Sequence, residues 1–163
     1  MNSHSPLKDK RVLIVDDEPD VLESLTELLP MCHVVTARSF EEAKRLLDTE
    51  KFDIAVLDIM GVDGYALLEI ARKKKVIPVM LTAHALSVED TVKSFKEGAA
   101  SYVPKEKMGD IETFLTDILE ARKKGKSLTW RWLNRFESYY EKKFGRDWKK
   151  DDREFWEKFG YWL

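Results

Sequence analysis

Between Arg11 and Gly125 the chain alternates, five times over, a short and almost wholly apolar run with a longer segment of helical periodicity. The runs "RVLIV" (11–15), "HVVTA" (33–37), "FDIAVLDI" (52–59), "VIPVMLTA" (76–83) and "ASYVP" (100–104) are too short for helices and rich in β-branched residues, so each is expected as a strand. The segments between and after them, "PDVLESLTELL" (19–29), "SFEEAKRLLDTE" (39–50), "DGYALLEIARKKK" (63–75), "SVEDTVKSFKEG" (87–98) and "MGDIETFLTDILEARKKG" (108–125), repeat apolar residues at three- and four-residue intervals. Strands without a polar face must be covered on both sides, which the α/β class achieves with a parallel sheet between two layers of helices. Right-handed crossovers then leave few topologies. In such sheets the chemistry collects beyond the carboxyl ends of the strands.

A chain of 163 residues can bury one good core and an appendage but not two full domains. The expected organisation is a flexible N-terminus over 1–9, an α/β domain over 10–125 and a helical, aromatic-rich extension over 126–163. A formal net charge of −2 supplies no global field toward nucleic acid or anionic lipid. The single cysteine, Cys32, excludes a disulfide framework and reads as a small core residue. Without an apolar run near ~18 residues or a signal-peptide pattern, a soluble cytoplasmic protein is expected.

The strand ends carry Asp16, Asp17 and Glu18 after the first run, Asp58 after the third, Thr82 and Ala83 after the fourth and Lys105 after the fifth. Each has an ordinary reading alone: an aspartate as a helix N-cap, Thr82 as a strand-end hydroxyl, Lys105 as a solvated cation. Together they describe one crowded anionic pocket. Like charges so close repel unless a cation lies among them, and hard oxygen ligands favour Mg²⁺ with phosphate oxygens completing its shell. The site is suited to phosphoryl chemistry.

Four motifs in register, "VDDE" (15–18), "LDIM" followed by "DG" (57–64), "LTA" (81–83) and "SYVPKE" (101–106), make residues 9 to 123 resemble the receiver domain of two-component response regulators, including the single-domain chemotaxis type. The resemblance implies a flavodoxin-like fold, a doubly wound five-stranded parallel sheet of order 2-1-3-4-5, here with a C-terminal helical extension. It implies that Asp58 accepts a phosphoryl group from a histidine kinase, and that Mg²⁺ is held by Asp16, Asp17, Asp58 and the backbone carbonyl of Met60. Lys105 would pair with one phosphoryl oxygen and Thr82 with another. Tyr102 matches the aromatic that turns inward as Thr82 moves, a two-state device that repacks the neighbouring surface. The product would be a regulatory phosphoprotein, not an enzyme with turnover.

Two departures stand out. The family loop D-x-x-x-P-x-x-D-G is here "DIMGVDG", two residues shorter and without proline, so Gly61 is expected to absorb a tighter turn. The lysine is preceded by Pro104 and followed by Glu106, so no Lys-Pro cis bond is expected. His84 reads as a loop residue beside the site, and His33 and His4 have no evident partners.

All five tryptophans lie beyond residue 129. Leu128, Trp132, Phe136, Tyr140 and Phe144 recur every four residues, widened by Leu133 and Tyr139, with Ser127 as a candidate cap and Gly145 as the stop. A second helix follows, with Asp151 and Glu154 resembling a capping box ahead of Phe155, Trp156, Phe159 and Trp162. Some dozen aromatics in roughly 38 residues exceed what a monomer leaves exposed and are too few to fold alone. They must dock. The favoured reading is an interface built on Trp130, Trp132, Phe136, Tyr140, Phe144 and Trp156, through the chain's own domain or a second copy, with a homodimer preferred and another protein as the next choice. Nucleic acid is disfavoured because acids such as Glu137, Asp151 and Asp152 interleave with the bases, and a membrane surface is disfavoured too. The rival functions are a DNA-binding transcriptional regulator acting through the tail and a Mg²⁺-dependent phosphohydrolase, whose usual Asp-x-Asp spacing "DDEP" lacks.

Overall fold

The structure is a computed structural model that describes residues 5–82, 87–124 and 129–161, with side chains described throughout except at 129–131, 133, 134 and 158–161. Among the described residues the chain forms strands β1 (Arg11–Val15), β2 (His33–Ala37), β3 (Ile54–Asp58), β4 (Ile77–Thr82) and β5 (Ser101–Pro104). They alternate with helices α1 (Pro19–Leu28), α2 (Phe40–Thr49), α3 (Gly64–Lys73), α4 (Val88–Lys96) and α5 (Ile111–Lys123), and α6 (Thr129–Phe144) and α7 (Arg153–Tyr161) follow. The strands pair in parallel in the order β2-β1-β3-β4-β5. This is the doubly wound flavodoxin-like topology that the resemblance implies.

Helices α1 and α5 pack on one face of the sheet; α2 packs on α3 on the other, and Tyr65 of α3 hydrogen-bonds Asp90 of α4. The core is what the apolar runs supply: every residue of β3, β4 and β5 is buried. β2, an edge strand, differs, with His33 and Thr36 exposed and only Ala37 buried. Ser39 and Ser87 cap α2 and α4 by accepting from the backbone N–H of Glu42 and Asp90.

Several expectations change in detail. From residue 5 the N-terminus is packed: Leu7 is fully buried, and Asp9 N–H bonds the Met31 carbonyl at 2.9 Å. Neither Asp16 nor Asp17 is the N-cap of α1; Glu18 holds that position without a side-chain cap bond. The α5 segment begins later than its pattern, because Lys105–Asp110 forms a 3-10 helix first. The cap of α7 is Asp152, not Asp151: Asp152 Oδ1 accepts from Phe155 N–H at 3.2 Å, and Asp151 lies in a short 3-10 turn over Lys150–Asp152. Gly61 does not take the left-handed turn in the short loop; Asp63 does, at φ 54°. Asp tolerates that region better than most side chains, and it stands at the start of α3. Cys32 is half-buried, and burial pushes its thiol up to about 11, so it is a poor nucleophile. His4, His84, Ser127, Leu128 and Trp162 lie outside the described residues, as do the side chains of Trp130, Leu133 and Phe159.

The tail is docked on its own domain. Trp132, Phe136 and Tyr140, four residues apart on α6, are buried together with Trp148 and Trp156. Trp132 meets Phe95 of α4 edge-on at 5.0 Å between ring centres, and Phe136 meets Phe114 of α5 at 5.1 Å. Trp148 and Trp156 close the cluster from outside, 4.8 Å apart and edge to face. Polar contacts fix the register. Arg135 forms a two-pronged pair with Asp117 of α5, Lys143 reaches Glu106 at 2.9 Å and Lys96 of α4 reaches Asp152 at 2.8 Å. Trp132, Phe136, Tyr140 and Trp156, expected to dock on the chain's own domain or, by preference, on a second copy, are buried within one chain, while Phe144 is half-buried at the rim.

Candidate phosphoryl site

β1, β3 and β5 each release an ionisable residue within one or two positions of their last paired residue, and because the strands are parallel these residues meet above one end of the sheet. Asp16 and Asp58 are buried, and the Lys105 ammonium stands between them, 2.8 Å from Asp16 Oδ2 and 3.7 Å from Asp58 Oδ1. Glu18 Oε1 lies 3.3 Å from the same ammonium. Glu18 appears in the sequence only as a further strand-end acid, and its pairing with Lys105 was not legible there. Asp16 Oδ1 accepts from Glu18 N–H at 2.9 Å, which turns the chain into α1, and Asp58 Oδ2 accepts from Gly61 N–H at 3.2 Å.

The electrostatics are unbalanced. Three carboxylates, Asp16, Glu18 and Asp58, face one ammonium, and a fourth, Asp17, lies beside Asp16 and Glu18. Burial lifts the Asp16 carboxyl above its usual range, against the pull of Lys105 and the Glu18 amide. Burial lifts Asp58 too, reinforced by the charge of Asp16 and opposed by Lys105. Burial alone would depress the Lys105 ammonium; its bond to Asp16 and the charge of Asp58 outweigh that and raise it. Asp16 Oδ2 has no hydrogen-bond partner beside that ion pair. Carboxylate oxygens of Asp16, Asp17 and Glu18 come within 4.8 Å of one another, the spacing of ligands around one hard cation. The donor set, all oxygen and in anionic excess, fits Mg²⁺.

Two glycines make the room. A Cβ at Gly61 would lie 2.4 Å from the Asp17 carboxylate, so glycine is needed there for space rather than for a special φ. A Cβ at Gly64 would lie 2.2 Å from the Asp58 carbonyl oxygen, so α3 can start this close to β3 only with glycine. Met60, next to the pocket, is 81% exposed.

Thr82 ends β4 and is buried; its strand neighbour is Pro104, and Asp58 pairs with Leu81 immediately before it. Tyr102 is fully buried and points inward, where the hydroxyls of Thr91 and Thr82 favour its phenolate while burial, the larger effect, pushes its pKa far up. The structure thus brings Asp16, Asp17, Asp58, Lys105 and Thr82 to one end of the sheet, with Tyr102 just beneath. It places Trp132, Phe136, Tyr140 and Trp156 elsewhere, on the surface formed by α4, β5 and α5. No helix among the described residues is long and apolar enough to cross a membrane.

Comparison with known proteins agrees with this geometry. The response regulator receiver domain family matches residues 12–116, so the extension falls outside the match. A receiver domain protein (CheY-like) from Methanospirillum hungatei is 31% identical with a TM-score of 0.65, over 72% of this chain and 99% of that one. The BeF3-activated DrrB receiver domain is 28% identical with a TM-score of 0.60, over 69% of this chain and 98% of that one. Among curated proteins, the probable transcriptional regulator ycf27 of Guillardia theta is 37% identical over 117 residues, 69% of this chain and 43% of that protein. The transcriptional activator protein PfeR of Pseudomonas aeruginosa is 33% identical over 108 residues, 64% of this chain and 35% of that protein. The chain therefore spans less than half the length of these two relatives. With the match running over well more than half of its residues, and with the sheet order and the pocket both in place, this chain belongs to the response regulator receiver domain family.

Proposed function

We propose that this protein is a phosphorylation-activated response regulator, whose Asp58 accepts a phosphoryl group from a phosphohistidine on a histidine kinase. The observation that carries the reading is the Lys105 ammonium, 2.8 Å from Asp16 and 3.7 Å from Asp58, at the bottom of a pocket with excess negative charge. In the transfer, an Asp58 oxygen attacks phosphorus in line with the leaving imidazole nitrogen. The new O–P bond forms as the P–N bond breaks, and the bonding pair returns to the imidazole. A loose transition state asks the protein mainly for placement and charge neutralisation. Lys105, already held by Asp16, is positioned to neutralise one phosphoryl oxygen, and Thr82 to donate to another. Asp16, Asp17 and Asp58, with the Met60 carbonyl, would hold Mg²⁺. Bound there, the ion supplies positive charge both to the crowded carboxylates and to the phosphoryl oxygens.

The test is incubation with Mg²⁺ and a small acyl phosphate, comparing wild type with Asp58→Ala. An acid-stable, base-labile adduct on the wild type alone supports the reading. A stable adduct on the variant, or none on the wild type with a competent kinase present, overturns it.

The transcriptional roles of the relatives favour a signalling output, but their matched portions are 43% of one and 35% of the other. A DNA-binding role for this chain would show as duplex binding that weakens steeply with salt. The interleaved acids of α6 and α7 argue against it.

A further inference from the structure

β5 is the edge of the sheet, and an edge strand leaves main-chain acceptors without a strand partner. One of them, the Tyr102 carbonyl, accepts the indole N–H of Trp132 at 3.1 Å. On the neighbouring helix, the Thr91 hydroxyl meets the Tyr140 hydroxyl at 2.6 Å and also reaches the Ser87 carbonyl at 2.9 Å. A threonine has one proton. With that proton given to Ser87, Tyr140 must donate to Thr91, so the fully buried phenol of Tyr140 finds its partner on α4 across the docked face. Trp132 and Tyr140, 5.3 Å apart, cover the outer side of β5 and α4. That is the space into which the Tyr102 ring would have to swing to leave the core.

Docked α6 therefore favours the inward position of Tyr102, the one in which its ring is fully buried. Thr82 is the residue that an anion on Asp58 would draw toward itself, and it directly follows Leu81, the strand partner of Asp58. Drawing Thr82 toward the anion opens room beneath it for the Tyr102 ring. Both events select the same position of one side chain, and two ligands that favour one state strengthen each other.

We infer that α6 is a built-in ligand of the surface formed by α4, β5 and α5, and that its docking and occupancy of the Asp58 pocket are coupled favourably through Tyr102. This rests on the function proposed above. The aromatic tail is then neither a dimer contact nor a passive clamp but the second site of a two-site switch. Coupling of this kind spans about 5- to 150-fold in affinity.

The test measures binding of beryllofluoride with Mg²⁺ to the full chain by calorimetry, and follows hydrogen exchange of α6 amides. In the wild type, beryllofluoride should slow exchange across α6. Trp132→Ala should bind the mimic at least about fivefold more weakly. Tyr140→Phe and Arg135→Gln, milder changes at the docked face, should weaken it in proportion to the loosening of α6. In a Tyr102→Ala background, Trp132→Ala should no longer alter the affinity. Equal affinity in wild type and all three tail variants overturns the coupling while leaving the phosphoacceptor reading intact. Tighter binding to the tail variants overturns it as well, because the tail would then oppose occupancy. Failure of the mimic to bind the wild type at all, with the fold retained, overturns the phosphoacceptor reading itself.

Discussion

Lys105 Nζ lies 2.8 Å from Asp16 Oδ2, a carboxylate with no exposure to solvent. The pair is one-sided, because Asp58 lies 3.7 Å from the same ammonium and both carboxyls are raised chiefly by burial. Removing the cation leaves buried negative charge without a partner. Lys105→Met should lower stability at neutral pH by about 2–4 kcal/mol in the presence of a chelator, with part of the loss recovered on adding Mg²⁺. Urea unfolding curves with and without the ion check this.

Asp58→Asn should do the opposite. At neutral pH Asp58 is charged in the unfolded chain, and its raised folded pKa means that the folded state bears a penalty for holding that charge. As pH falls through the folded value the folded protein takes up a proton that the unfolded chain does not yet bind, and the penalty fades. It is gone below the unfolded value. The variant should therefore be more stable than metal-free wild type at pH 7, with the advantage shrinking toward acid. Paired unfolding curves across that range give the difference directly, and an advantage that grows toward acid contradicts it.

Mg²⁺ should raise the melting temperature of the wild type. At ten times its dissociation constant the stabilisation is about 1.4 kcal/mol, or roughly 3–6 °C for a chain of this size. Asp16→Asn with Asp17→Asn should abolish the response, whereas changing an exposed acid remote from the pocket, such as Asp151, to Asn should leave it intact. A thermal-shift titration decides.

Gly64 and Gly61 are both crowded but should differ in consequence. At Gly64 the obstacle is backbone, the Asp58 carbonyl oxygen 2.2 Å from an added Cβ, and Gly64→Ala should cost about 2–3 kcal/mol as α3 is pushed away. At Gly61 the obstacle is the Asp17 carboxylate, which is exposed and can rotate. Gly61→Ala should cost little stability and weaken Mg²⁺ instead. Equal loss of stability at both positions would show that the loop, not the carbonyl, is the rigid element.

Much of this architecture is written in the sequence. β1, β3 and β4 are legible because strands covered on both faces must be apolar throughout, and Ser39 and Ser87 mark helix starts because their hydroxyls satisfy N–H groups that the helix cannot. The pocket is legible because parallel strands deliver their final residues to one end. What fails is what depends on one-residue register or on distant partners. Asp151 and Asp152 are adjacent acids, and only the 3-10 turn before α7 decides which of them caps it. Gly61 resembles the residue that bends the short loop, yet Asp63 takes the left-handed turn, and Gly61 is needed instead for the room that the Asp17 carboxylate occupies. The aromatic stripe of α6 announces burial without naming its partner. Thr91 and Asp117 look like ordinary polar helix residues until Tyr140 and Arg135 reach them. Trp148, buried in the tail cluster, lies in the turn after Gly145 and outside any helical periodicity, so no pattern singled it out.

The most direct measurement is peptide-level mapping of the phosphorylated residue after borohydride reduction of the wild-type chain treated with a phosphodonor and Mg²⁺. The expected result is a single modified position, Asp58, lost on chelation and strongly reduced in Lys105→Met. Modification at Asp16, Asp17 or a histidine, with Asp58 untouched, contradicts the account.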